Sequence, residues 1–531
     1  MSFISLKFAA FVILCLLVYY MVPKKWQWVV LLAASWYFYL LTGINRIFSI
    51  LFTTASTYFF ALLLEKRNLI QKDYLRDNKD RLSKDEKKEY KAAMKKKQKW
   101  LLFICLLLNF SILVWFKYAN LAIAYLNLFR LNRFGNTDFI PFFNLILPLG
   151  ISFYTFQSMG YLIDIYYGKY GAEHNFFRFA LYVSYFPQII QGPISRFGEL
   201  SKELYRPVDF DLERIKSGFY RVMWGLFKKL VIADRVAGYV DASIAMRQTY
   251  KGPYLILTVF LYSMQIYGDF SGGIDVALGV SEMFGIRIAE NFERPFFSKS
   301  ISEYWRRWHI TLGTWFKDYI FYPLSVAKWM LNLSKQVKTH ISEGLGKRIP
   351  LYLPMVIVWA ATGMWHGSEM KYVVWGLLNC FFIILGTELE PFSVKLMERL
   401  KLSEDMPAVK LYRVFKTFWL MAFLRVFDIS SGVRAGFETI RDCFTDWGGF
   451  DLTVVYNDLA LEKEELIVAL IAVIILFAAG LLQRKGSLRE RIFKLPVPVQ
   501  WVSLCTLITA VVIFGTYGMG YDAKSFIYLM F

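Results

Sequence analysis

Histidine is scarce in this sequence: 531 residues contain four, His174, His309, His340 and His366. No two lie within a helical turn, no HExxH occurs, and carboxylates do not gather around His309 or His366, so a zinc or other metal centre is not predicted. The five cysteines, Cys15, Cys105, Cys380, Cys443 and Cys505, form no CxxC pair, and four of them lie in apolar runs. They read as small buried hydrophobes rather than a disulfide or metal framework. There is no Gly-x-Ser-x-Gly elbow and no P-loop. Internal repeats, Gly/Ser-rich linkers and a soluble domain of useful size are also missing. Charge is rare where the chain is most apolar: residues 6–20 hold only Lys7, and residues 466–482 hold none.

What is present is apolar surface in long runs. Hydrophobic residues make up 56% of the chain and aromatic ones 18%, above the usual apolar share of about 45–50% in soluble domains. A bilayer core takes about 20 apolar residues to cross as a helix. Within lipid the backbone must satisfy its own hydrogen bonds, so these runs are predicted to be helices. Thirteen apolar segments are read: 3–22, 26–42, 47–64, 100–116, 142–163, 175–193, 214–234, 253–270, 351–366, 371–389, 411–428, 465–482 and 498–519. The first is not read as a cleaved signal peptide, because Lys7 is a thin basic region and a second run follows Lys24 and Lys25 directly. The expected fold is an all-α polytopic membrane bundle, a single integral membrane domain over 1–531.

The net charge of +20 sits in short loops between apolar runs, the positive-inside pattern rather than a nucleic-acid surface. Residues 66–99 carry fourteen Lys/Arg against six Asp/Glu and are expected to be a basic cytoplasmic loop or solvated helix. Residues 484–494, with five Lys/Arg and one Glu, are also placed inside. Both termini then fall outside. Two outside ends need an even number of crossings and thirteen is odd, so one segment should enter and leave on the same side. The choice is 175–193, which contains Pro187 and ends Gln191-Gly192-Pro193. The alternative is a kinked helix with a miscount elsewhere.

His174 and His340 lie in polar loops and read as solvated. His309 follows Tyr304-Trp305-Arg306-Arg307-Trp308, and the aromatic spacing across 304–319 predicts one amphipathic helix lying in the cytoplasmic interface. On that stripe a histidine can equally be a satisfied core residue. Arg306 and Arg307 suit phosphate groups or anionic lipid headgroups. His366 ends the run 351–366, which the topology places outside. An ionisable residue in or at the end of a span is a functional hypothesis. A neutral imidazole there is a suitable base for a hydroxyl, which is a poor nucleophile until deprotonated. The competing reading is an interfacial cap or a structural hydrogen bond.

Several stretches, in order, resemble the membrane-bound O-acyltransferase family, and within it the bacterial branch of alginate O-acetylation membrane subunits. They are 148–157 (PLGISFYTFQ), 186–194 around Phe186-Pro187-Gln188 and Gln191-Gly192-Pro193, 265–272 (QIYGDFSG), Met283-Phe284-Gly285-Ile286, Glu290-Asn291-Phe292, 304–309 (YWRRWH) and Met364-Trp365-His366-Gly367. The resemblance covers roughly 145–380, leaving 390–531 as C-terminal membrane helices. It implies helices around a central tunnel, His366 as the catalytic histidine and His309 as the second family histidine, which would position a group or polarise the carbonyl. Trp305, Arg306, Arg307, Trp308, Asp269, Gln191, Asn291 and Trp365 are implied as substrate-contacting residues by motif position. Where many relatives continue with tyrosine-serine-aspartate, this chain has Gly273-Ile274-Asp275, which bears on the acceptor. No bound cofactor is expected. The implied donor is acetyl-coenzyme A or another acyl thioester from the cytoplasm. The implied acceptor is an extracytoplasmic cell-envelope polysaccharide, reached through a secreted or membrane-anchored relay protein, and the implied location is the bacterial plasma membrane.

Three rivals remain at this point. Transfer of D-alanine from a carrier protein to teichoic acid would use the same thioester chemistry. A transporter or flippase would fit the composition, though no repeat relates the two halves. A structural scaffold would tolerate replacement of both histidines.

Overall fold

The computed structural model describes residues 3–43, 46–135 and 137–517. The C-terminus and the last two residues of the expected segment 498–519 lie outside them. The described chain is helical, and its one recorded β-bridge pairs Phe292 with Trp308. Among the described residues, six helices are long and apolar enough to cross a membrane: Ile47–Asp77, Lys84–Phe134, Glu343–His366, Met370–Arg399, Lys463–Lys485 and Val497–Phe514. Other apolar segments form shorter helices, such as Leu6–Met21, Gln27–Leu40 and Phe176–Ser184, or one interrupted by a π-helical stretch at Phe227–Ala233.

The chain divides into two compact units, Met1–Ile215 with Val280–Ala289, and Lys216–Gly279 with Glu290–Phe531. The core expected over 145–380 is shared between them. In the first unit, 66–99 is largely helix rather than loop. The helix from Ile47 continues to Asp77, and the next begins at Lys84. The turn between them ends in a capping box: Glu86 N–H donates to Ser83 Oγ at 3.2 Å, and Ser83 N–H donates to Glu86 Oε2 at 2.7 Å. Two orphan donors at the helix start are satisfied this way.

The segment 175–193 behaves as a broken element. Its helix, Phe176–Ser184, has nine residues, a rise of roughly 14 Å against a hydrocarbon core of about 30 Å. After Ser184 the chain turns through Pro187, with Gln188 Nε2 donating to Pro193 O at 2.5 Å and to Ser195 Oγ at 2.6 Å. Irregular backbone is tolerated at membrane depth only where protein surrounds it, and residues 179–195 are all buried.

In the second unit, Glu343–His366 and Met370–Arg399 form a tight helical hairpin. A methyl group on Gly363 would fall 2.4 Å from Tyr372 O, and one on Gly376 would fall 2.3 Å from Trp359 O. Only glycine permits this approach, and the crossing lies within one turn of His366. A π-helical stretch, Phe227–Ala233, interrupts another helix of this unit. Wide turns of this kind recur at functional sites, and this one carries two consecutive buried lysines, Lys228 and Lys229.

Candidate active site

The stripe expected as one helix over 304–319 is interrupted at His309. One helix runs Ile301–Arg307, Trp308 is extended, and His309 adopts a left-handed conformation (φ 47°, ψ 53°) before the helix Ile310–Phe316. The cause is tertiary. Phe292 pairs with Trp308 across a β-bridge, Glu293 N–H donates to Arg307 O at 2.9 Å, and Ile310 N–H donates to Asn291 O at 3.1 Å. A left-handed non-glycine residue is strained by about 1–3 kcal/mol, and such residues cluster at functional sites.

His309 is 3% exposed. Its Nδ1 lies 3.2 Å from Asn291 Oδ1, an oxygen that also accepts from Thr311 N–H and Thr311 Oγ–H, each at 3.0 Å. Phe270 meets the imidazole edge-on, with ring centroids 4.9 Å apart. Burial pushes the His309 pKa down to about 3, so the ring is neutral at ordinary pH.

His366 is the last residue of the helix Glu343–His366 and is 7% exposed. The Trp365 ring stands 4.9 Å from its imidazole and 5.8 Å from that of His309. Trp375 packs 4.7 Å from His366 on the following helix. Trp305 closes the group, 5.6 Å from Trp375 and 5.0 Å from Trp359, with Nε1–H donating to Asn379 Oδ1 at 3.0 Å. This corrects one expectation. The topology placed 304–319 at one membrane face and the end of 351–366 at the other, but rings 5.8 Å apart share one depth in a core about 30 Å thick.

The other expected residues separate by surroundings. Trp308 is buried, with the Arg425 guanidinium 4.1 Å from its ring centroid and Tyr304 stacked on it. Arg425 is itself buried, 3.3 Å from Asp428 and 3.5 Å from the Tyr304 hydroxyl. Arg306 is exposed, and Arg307 pairs with Glu303 at 2.7 Å. Asp269 accepts from Lys229 Nζ at 2.6 Å, and Lys229 also meets Asp234 at 2.8 Å. Gln191 lies in the first unit, fully buried, with neither amide atom hydrogen-bonded.

A cavity of about 510 Å³ opens in the second unit, and its lining includes Tyr267, Phe292 and Ile310. The first two pack on Trp308, at 6.0 and 5.0 Å, and Ile310 follows His309 in the chain. Charge lines the same space. Arg221 donates bidentately to Glu290, at 2.7 and 2.6 Å, and through Nε to Asp275 at 3.0 Å. Lys228 Nζ reaches Asp275 and Ser271, each at 2.7 Å. Arg294, left-handed at φ 49°, also lines the cavity and makes no ion pair or side-chain hydrogen bond among the described residues. Arg489 contributes a fourth cation. Asp275, Glu290, Glu293 and Glu490 line it as well, so the wall carries both signs of charge, and because neither Arg306 nor Arg307 is among the lining residues its cations come from residues that sequence reasoning passed over. A usable signal existed in Lys228-Lys229, an ionisable pair within the apolar run 214–234.

No group of three metal-binding side chains occurs among the described residues. The site is an aromatic enclosure holding two imidazoles, with a charged cavity beside it. Residues 171–342 match the model of MBOAT, the membrane-bound O-acyltransferase family. It is 36% identical over 279 residues to a probable alginate O-acetylase AlgI of Pseudomonas aeruginosa, covering 52% of this chain and 49% of the relative. A peptidoglycan O-acetyltransferase of Helicobacter pylori is 31% identical over 309 residues, 53% of this chain and 54% of that one. A teichoic acid D-alanyltransferase of Bacillus subtilis is 28% identical over 257 residues, 48% and 62% of the two chains. The matched region spans about half the length of the alginate O-acetylases.

Proposed function

We propose that this chain transfers an acyl group, acetyl in the simplest case, from a cytoplasmic thioester to a hydroxyl on an extracytoplasmic cell-envelope polysaccharide. The observation that carries the reading is the pair of buried histidines one indole apart, in an aromatic enclosure next to a cavity with cations on its wall. His366 takes the proton of the acceptor hydroxyl as its oxygen attacks the thioester carbonyl. The tetrahedral intermediate collapses with loss of the thiolate, to which the imidazolium returns the proton. The cavity suits the phosphate-bearing arm of acetyl-coenzyme A or of an acyl carrier, with Arg294 and Arg489 on the phosphates. Placing donor and acceptor on opposite sides of the bacterial plasma membrane, with both termini outside, lets the acyl group cross while the charged carrier stays in the cytoplasm. A secreted or membrane-anchored relay protein would take the acyl group onward.

The similarity to alginate and peptidoglycan O-acetylating relatives favours acetyl and a polysaccharide. D-alanyl transfer to teichoic acid is the second reading, favoured by the B. subtilis relative. The two separate in one experiment. Sealed membranes are given radiolabelled acetyl-coenzyme A, or D-alanine on a carrier protein with its loading enzyme. Label in envelope polymer from acetyl-coenzyme A alone supports O-acetylation. Label from the D-alanyl carrier alone overturns it in favour of the second reading.

A further inference from the structure

Asn291 reads by motif as a substrate-contacting residue, but its side chain is committed inward. It is 0% exposed, and its Oδ1 lies within hydrogen-bond reach of three groups. Thr311 N–H is a donor with no alternative role, so the atom facing it is the amide oxygen. That oxygen accepts and does not donate, so the His309 Nδ1 facing it at 3.2 Å carries the proton. In a neutral imidazole the lone pair then belongs to Nε2. The Asn291 main chain reinforces this, because its carbonyl accepts from Ile310 N–H at 3.1 Å and holds the left-handed turn that orients the ring.

We propose that Asn291 is a positioning residue that fixes His309 as the Nδ1–H tautomer and presents Nε2 as a hydrogen-bond acceptor. His309 therefore receives a hydrogen bond or a proton during the reaction and does not polarise a carbonyl by donating to it, the role its motif position had suggested. The catalytic consequence rests on the acyl-transfer reading of the site, whereas the tautomer does not. The groups packed on the imidazole agree with a neutral ring, for Phe270 and Trp365 are aromatic and Asn291 is uncharged.

The chain holds four histidines, so ¹⁵N-histidine labelling gives few signals. The full-length protein is labelled, reconstituted in lipid and examined by solid-state NMR at pH 7, and the His309 signals are assigned by their loss in His309→Gln. A protonated Nδ1 with a bare Nε2 is the expected result. Asn291→Leu should lose that tautomer and lower kcat roughly 100-fold, the scale of one acid–base group, with the donor KM unchanged. Asn291→Asp keeps an acceptor oxygen, so it should keep the tautomer and recover activity to within about tenfold of wild type. A bare Nδ1 in the wild-type protein overturns the proposal without depending on whether any variant folds. An unchanged tautomer in Asn291→Leu overturns it too. The expected tautomer in a wild-type protein that transfers no acyl group would uphold Asn291's effect on His309 and overturn the acyl-transfer reading.

Discussion

His309 and His366 are joined through one side chain, since the Trp365 ring lies 5.8 Å from the first imidazole and 4.9 Å from the second. The two residues are 57 positions apart and reach this point on different elements, one at a strained break and the other at a helix end. Their separation leaves room for two roles. In the proposed reaction His366 is the base and His309, held by Asn291, presents an acceptor.

The helical hairpin that delivers His366 depends on close contact at Gly376. Gly376→Val should force the crossing apart, because its Cβ would start 2.3 Å from Trp359 O. Overpacking of this kind costs about 1–3 kcal/mol, and His366 would shift with its helix. The expected outcome is a lower melting temperature together with loss of transfer, measured on the same detergent-purified sample. Full activity would show that the crossing does not set the position of His366.

Gln191 offers a test of function against stability. A fully buried amide with no hydrogen bond costs about 1–3 kcal/mol, so Gln191→Leu should raise the melting temperature. If the amide serves substrate, the same change lowers transfer. A variant both more stable and fully active would mark Gln191 as dispensable.

His309 makes stability depend on acid. Its folded pKa of about 3 lies below the ordinary value of 6.5, so the folded state resists a proton that the unfolded chain takes up. Stability is full above about pH 6.5 and falls as pH drops towards 3, by roughly 2 kcal/mol at pH 5. Thermal melts from pH 7.5 to 4.5 should show this limb in wild type and a shallower one in His309→Gln. Identical limbs would contradict the buried neutral ring.

Arg294 tests the cavity. If it binds the donor phosphate in the ground state and the transition state alike, Arg294→Gln should raise the KM for the thioester with kcat nearly unchanged. A change in kcat alone, with KM intact, would remove the cavity from donor binding.

Much of the architecture was legible because apolar runs of span length have one solution in lipid, as at 47–64 and 371–389. The place of His366 at a helix end was legible for a related reason, since it closes such a run. The break at His309 was not. No glycine or proline marks it, and its left-handed turn is imposed by the Phe292–Trp308 bridge across 16 residues of sequence. The cavity was hidden because Arg221, Arg294 and Arg489 come from segments far apart in the chain. Arg306 and Arg307, adjacent in sequence and conspicuous for it, point elsewhere.

The central claim is most directly tested by His366→Ala in membranes supplied with radiolabelled acetyl-coenzyme A, after matching expression and membrane insertion to wild type. The account predicts label in envelope polymer or relay protein with the wild-type chain and none above background with the variant. Equal labelling by the two would contradict it.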